Sequence, residues 1–394
     1  MATKTQQEFP TELLLADIET RVNWFKDEAF IIHALLQSVI KKVLHGVRFP
    51  AGRPIIFVLG PPGVGKSILF KQLAEMLEKD FLRHPEFRPG DIPVVSMTAV
   101  TPGKTGVFDW EDFIKRFFLV VREPLINEKV TSTIKEISVG QKNQLVLVRD
   151  AHPNWLQMFE DTQKNRNIRV FLIDEAQDMA KIASGKKMLS QMDAIKSLEN
   201  QTGTIYILLG TYSLLDLSDL SGQLMRRTRK VPFPRYDIKK QKDKRDFITA
   251  INKLERLLPV PELPTLSKHP KEMYALCLGC VGLLKDLLTE ALSHAILRDM
   301  QTVTIELCQE IAPLLEDRKK IQREITQGEA RLASLNVPSK DAERDFQAEL
   351  LGEKPPKKNE GDQDNDQEKS KTKNRDVGLR TLGRDPVGVT PETE

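Results

Sequence analysis

Little in this chain points to a disulfide framework, a membrane or an export route. Cysteine occurs only three times in 394 residues, too few for a stapled secreted scaffold, and a reducing cytoplasm is the expected compartment. Long hydrophobic runs are missing as well. Runs such as those at 55–59, 170–173 and 205–209 are strand-sized, far short of the roughly 20 residues a membrane span needs. The opening MATKTQQEFPTELLL has no basic leader followed by a long apolar stretch and a small-residue cleavage site, so no secretory signal is expected. Charge of one sign is scarce too: a net +3 does not by itself argue for a nucleic-acid partner, although it leaves room for a local basic face. What is there, 40% hydrophobic and 29% charged residues, suffices for one large globular domain or two smaller ones with appendages.

Cys277 and Cys280 form a CLGC pair that invites a zinc or redox reading. A structural zinc site needs two further ligands at comparable spacing, and only the scattered His269, His294 and Cys308 are on offer. Buried helical cysteines fit better.

Hydrophobic patterning divides the chain into an N-terminal helical region (1–50), an α/β core (51–236), a helical lid (237–315), a charged helix (316–352) and a tail (353–394). In the first, Phe25, Ala29, Ile32, Leu36, Val39 and Val43 recur at steps of three and four, which predicts one amphipathic helix packed on the core. Residues 51–236 alternate strand bursts with helical patterns: IIFVL, IPVVSM, VFLID, IYILLG and RKVPFP. Such a series predicts a parallel sheet sandwiched by helices, with central strands apolar at nearly every position because both faces are covered. Residues 237–315 read as helices alone, notably GLLKDLLTEALSHAIL. EDRKKIQREITQGEARLASL predicts a solvent-washed helix, and residues 353–376 carry no aliphatic or aromatic side chain, a composition that predicts disorder.

The chemistry starts at Gly60-Pro61-Pro62-Gly63-Val64-Gly65-Lys66-Ser67, which fits GxxxxGK[ST] in full between a predicted strand and a predicted helix. Glycines let backbone N–H groups turn toward phosphates, and the following helix presents its positive end to them. Lys66 is expected to reach the β- and γ-phosphates of ATP and Ser67 to ligate Mg2+. VFLIDEAQD then ends an apolar strand in two carboxylates: Asp174 to help hold the metal, Glu175 to orient and activate the attacking water. A strand-end acidic pair also serves as a helix N-cap. The pairing with a phosphate loop favours the hydrolytic reading, and Glu175 points to an ATPase rather than a kinase or GTPase. Third, IYILLG runs into Thr211, whose hydroxyl would lie near the γ-phosphate if this strand sits between the other two.

In this order, GPPGVGKS, VFLIDEAQ, LLGT, RRTRKVPFPRY and the helical region after them resemble an AAA+ ATPase. Within that class they look like the TnsC and TniB group of transposon regulators found in cut-and-paste and CRISPR-associated transposons. The likeness covers roughly residues 20–315. It implies an ATP-dependent oligomer, ring or filament, that binds duplex DNA and joins a target-selection protein to a transposase. It also implies that Arg227 reaches the γ-phosphate of a neighbouring subunit, with Arg226 and Arg229 close enough to compete. A solvated basic face is the other reading of this run. Lys285 is near where such lids place a cation facing the nucleotide, although the usual residue is arginine. MTAVTPGKTGVFDWEDF follows the second strand, where the class projects residues into a central pore. There Thr101, Lys104 and Thr105 would grip a DNA backbone without reading its sequence.

Two features depart from the group. The chain between Lys66 and Asp174 is longer than a minimal core needs, and the excess falls at about 121–152, where VTSTIKEISVGQKNQLVLVRD predicts a β-hairpin around Gly140 that would face a partner. The tail ends in VGLRTLGRDPVGVTPETE, where a few apolar residues return and would suit a tethered binding end. Two rival functions stay open: a helicase-loader or replication-initiator ATPase, and a nucleotide-gated signalling NTPase.

Overall fold

The structure, a computed structural model, describes residues 7–100, 108–124, 132–139, 142–149, 154–180, 200–218, 222–336 and 350. All of these but 350 belong to one compact unit, Met1–Val337. Thr101, Lys104 and Thr105 and the tail 353–394 lie outside the described residues.

The strands run in chain order β1 (Ile55–Leu59), β2 (Val94–Thr98), β3 (Ser132–Val139), β4 (Lys142–Arg149), β5 (Val170–Asp174), β6 (Ile205–Gly210) and β7 (Thr228–Pro232). Five form one parallel sheet in the order β2-β5-β6-β1-β7. The other two, β3 and β4, make an antiparallel pair with Val139 opposite Lys142, the hairpin expected around Gly140.

Both faces of the large sheet are covered, which is why β1 and β5 bury every residue. Ile56, Val58, Leu172, Ile207 and Leu209 point to one side, where they meet α2 (Ala34–Arg48) and α3 (Lys66–Phe81). Their alternates Phe57, Phe171, Ile173, Tyr206 and Leu208 point to the other side. There they meet α4 (Trp110–Val120) and α5 (Trp155–Asn165) through Phe113, Phe117 and Phe159. Each such fully buried side chain contributes roughly 1.5–3 kcal/mol by leaving water. Beyond β6 come the short α6 (Leu215–Ser218) and α7 (Gly222–Arg227). After β7 the chain is helical: α8 (Gln241–Leu257), α9 (Pro270–Cys277), α10 (Val281–Leu297), α11 (Ile305–Ile311) and α12 (Leu315–Asn336).

Two expectations are corrected. The pattern from Phe25 to Val43 is not one helix. A short helix, Ile18–Asn23, runs into a π turn at Trp24–Glu28, residues 29–33 are non-helical, and α2 starts at Ala34. The run Phe30-Ile31-Ile32 is aromatic and β-branched, types that lose side-chain freedom in a helix. The break sends the two halves to different cores, with Phe25 and Ala29 among the C-terminal helices and Leu36, Val39 and Val43 on the sheet. Ile32 is left 42% exposed.

The second correction concerns α12, which is a helix but is not washed by solvent along its length. Ile325 is fully buried against Leu278 and Cys280, and Leu332 joins the sheet core. These two residues stand seven apart, on one helical face. Between them Gly328 lies so close to Tyr212 that a Cβ there would overlap the ring.

Candidate functional site

The phosphate loop follows β1 and leads straight into α3, so its backbone must reverse within a few residues. Gly65 does this with φ of 108°, a conformation closed to a residue with a side chain. Loop and sheet are joined where the Gly60 N–H donates to the Gly210 carbonyl at the end of β6 (3.2 Å). The Lys66 ammonium is buried and donates to the carbonyls of Gly60 (3.2 Å) and Pro61 (2.9 Å). Burial lowers its pKa, and the nearby Glu175 and Asp174 carboxylates oppose that shift. Ser67, the second residue of α3, is exposed at the helix start.

Because β6 lies between β5 and β1, the strand ends stand in the order that the Thr211 expectation required. Asp174 closes β5, 6% exposed, with Oδ1 accepting from the Glu175 N–H at 2.9 Å. Desolvation raises its pKa, and the hydrogen bond to the Glu175 backbone and the charge of Lys66 pull it back. A carboxylate in that position gains from a cation. Glu175 turns out of the strand with φ of 50°, a backbone state that costs a non-glycine residue about 1–3 kcal/mol and collects at working sites. Thr211 follows β6; its N–H donates to Gln177 Oε1 (3.1 Å) and its hydroxyl shares a proton with Ser213 Oγ at 2.7 Å.

The helical region reaches the same place. The Leu283 N–H in the first turn of α10 donates to the Gly63 carbonyl at 3.0 Å. Gly63 and Gly282 approach so closely that a Cβ on either would collide with the other segment. Next to this contact an apolar cavity is lined by Ile31, His33, Leu36, Val64, Ile68 and Lys285. The Lys285 ammonium donates to the Lys26 carbonyl (2.8 Å).

The arginines are elsewhere. β7 runs parallel to β1 with Thr228 beside Ile55 and Pro232 beside Leu59. Arg227, just before β7, is therefore roughly 16 Å along the sheet from the phosphate-loop end of β1 at the usual rise per residue. Its Nη1 donates to Asn200 Oδ1 at 2.6 Å. Arg229 donates to the Phe49 carbonyl (3.0 Å) of its own chain, and Arg226 is exposed. Cys277 and Cys280 are fully buried, with burial pushing both thiols up to about 12.

A family model described as an AAA domain matches residues 50–217, the span from the phosphate loop through β5 and β6. This part of the chain is similar to an AAA domain and has the parallel sheet with flanking helices of that fold. Solved structures similar to the chain include the ORC2 protein of Aeropyrum pernix in ADPNP-ADP complexes (12% identity, 73% of this chain and 70% of that one, TM-score 0.47). Cdc6p of Pyrobaculum aerophilum is another (11% identity, 71% and 68%, TM-score 0.46). A third is Drosophila ORC bound to DNA (12% identity, 89% and 74%, TM-score 0.43). No curated protein sequence matches. Among the described residues, no helix is long and apolar enough to cross a membrane.

The loop, the acidic pair and the strand-end threonine singled out in the sequence stand at one edge of the sheet, and Gln177, His33 and the glycine contact between Gly63 and Gly282 were not singled out. Gln177 was within sight, two residues after Glu175 in DEAQ. Its importance emerges only once β6 is known to lie beside β5.

Proposed function

We propose that this protein is an ATP-switched AAA+ ATPase that assembles on duplex DNA and links a target-selection protein to a transposase. The observation that carries the nucleotide half is the meeting of Lys66, Asp174, Glu175 and the Thr211 turn at one edge of the sheet, with Arg227 toward the other. In this reading the phosphates lie on the N–H groups of residues 60–65 and on Lys66. Ser67 and Asp174 are hard oxygen donors of the kind Mg2+ takes, and the ion would neutralise charge on the phosphates. Glu175 accepts the proton of the water that attacks the γ-phosphorus, and Thr211 orients the group being transferred. Arg227 is too far from its own phosphate loop to act there, so it serves a neighbour, and hydrolysis then depends on assembly. Lys285, next to the Gly63–Gly282 contact, would face the nucleotide as the lid cation.

The DNA half rests on the resemblance carried by GPPGVGKS, VFLIDEAQ, LLGT and RRTRKVPFPRY. In it, Thr101, Lys104 and Thr105 contact the DNA backbone, one weak set per subunit that a filament repeats many times. The hairpin of β3 and β4 faces a partner, and the tail beyond 353 recruits the transposase.

Imaging the full-length protein with duplex DNA, with and without a non-hydrolysable ATP analogue, tests the whole reading. Rings or filaments on the duplex that need the nucleotide support it. Monomers that ignore duplex DNA in both conditions sink it and favour a signalling switch, whereas assembly on single strands alone favours a helicase loader. Lys66→Ala should lose nucleotide binding and DNA loading together, Glu175→Gln should lengthen assemblies, and Arg227→Ala should slow hydrolysis without weakening ATP binding by the monomer.

A further inference from the structure

Gln177 uses both ends of its amide. Its Nε2 donates to Glu175 Oε2, and its Oε1 accepts the backbone N–H of Thr211 at 3.1 Å. The second contact needs residue 210 to have no side chain, since a Cβ on Gly210 would stand 2.6 Å from Gln177 Oε1. An amide has one donor group and one acceptor, and here both are committed, one to each of two strand ends. The backbone around Glu175 is tied as well: its N–H goes to Asp174 Oδ1, and its carbonyl accepts from the Asp178 N–H at 2.9 Å. With these bonds the main chain is held and the carboxylate's remaining freedom lies in its own side-chain torsions, which Gln177 restrains.

We infer that Gln177 is a positioning residue that fastens the Glu175 carboxylate to the end of β6, so that Glu175 is aimed at the attacking water only while the Thr211 turn is in register. The inference rests on the reading of Glu175 as the group that orients that water. A carboxylate oxygen held by Gln177 leaves the other oxygen at a set height above the strand edge, and a displacement of about 1 Å at such a group can cost up to about 100-fold in rate. Movement of the β6 end would pass to Glu175 through one side chain, without any shift in β5.

The test uses full-length Gln177→Ala, Gly210→Ala and the double variant, with steady-state ATPase, binding of a fluorescent ATP analogue and thermal unfolding measured on each. Gln177→Ala should lower kcat on the order of 10- to 100-fold with KM and analogue affinity nearly unchanged. Gly210→Ala keeps the glutamine but pushes its amide aside, so it should lower kcat in the same way. The two losses should not multiply: with no glutamine left to displace, the double variant should turn over like Gln177→Ala alone. An unchanged kcat in Gln177→Ala, a loss confined to KM, or multiplying losses would overturn the inference. If Gly210→Ala does not fold, the separation of kcat from KM in Gln177→Ala decides by itself. Glu175→Gln, run alongside, keeps the two levels apart. If it is inactive while Gln177→Ala turns over at full rate, only the positioning role falls; if it retains turnover, the reading of Glu175 falls and the inference with it.

Discussion

Two segments tie the C-terminal helices to the sheet, and they do it with different chemistry. The N-terminal one, residues 18–48, is apolar: Phe25 and Ala29 sit in the helical core, and Leu36, Val39 and Val43 in the sheet core. The C-terminal one, α12, adds a set of polar contacts to its apolar anchors Ile325 and Leu332. Arg235 pairs with Glu329 through two hydrogen bonds of 2.9 and 3.0 Å and takes Gln322 at 2.9 Å, and Arg331 meets Asp216 at 2.6 Å. Both end beside the proposed nucleotide site. Ile31, His33 and Leu36 line the cavity next to the phosphate loop, while α12 rests on Tyr212, the neighbour of Thr211. The apolar tie is a permanent part of the core, indifferent to salt. The ion pairs of the polar tie are the contacts that salt can screen.

The largest effect expected from breaking this contrast is at Phe25, which is fully buried. Phe25→Ala should destabilise the protein by about 3–5 kcal/mol through lost transfer energy and the cavity left behind, read as a fall in the denaturant midpoint that added salt does not change. A loss near zero would mean that the N-terminal tie is dispensable and the contrast false.

His33 belongs to the same tie and gives it a pH signature. It is 6% exposed, its Nδ1 lies 3.0 Å from the Tyr236 hydroxyl, and burial, helped by the charge of Lys253, lowers its pKa from 6.5 to about 4. A histidine depressed in the folded state binds a proton in the unfolded chain first. The stability it allows is therefore complete above pH 6.5 and is lost as pH falls toward 4, by about 3 kcal/mol in all. His33→Gln should remove that share of the slope, so the parent and variant should differ more at pH 7 than at pH 4.5. Parallel slopes in the two proteins would place the acid sensitivity elsewhere.

How legible each tie was follows from the same chemistry. The sheet was readable because strands buried on both faces must be apolar at nearly every position, as IIFVL and the first four residues of VFLID are. The phosphate loop was readable because its function needs one continuous local motif. Periodicity also detected the N-terminal apolar residues but assigned them one helix, since spacing records which residues are buried and not that Phe25 and Leu36 are buried in different places. For α12 periodicity failed in the opposite direction: only Ile325 and Leu332 mark its buried face, and the rest of its docking depends on a glycine and on charged residues whose partners, Arg235 and Asp216, lie about 100 residues earlier. Gln177 was hidden for a related reason, because its partner on β6 becomes a neighbour only through the strand order.

The smallest effects should come from the polar tie, and their ranking tests whether it is a latch. The Arg235 side chain is 12% exposed and Glu329 34%, so Arg235→Met leaves a carboxylate that can still turn to water. The expected cost is about 2 kcal/mol, the value of hydrogen bonds to a charged group. The Arg331–Asp216 pair is about half exposed, at 40% and 50%; Arg331→Ala should cost less than about 1 kcal/mol and nothing measurable in high salt. If α12 is a releasable strap, both substitutions should speed proteolysis within 315–336 far more than they lower the global unfolding midpoint, because local opening exposes the helix while the sheet stays folded. If cleavage and the global midpoint change together, α12 is an integral part of the core, and the contrast between an apolar and a polar tie would be one of composition only.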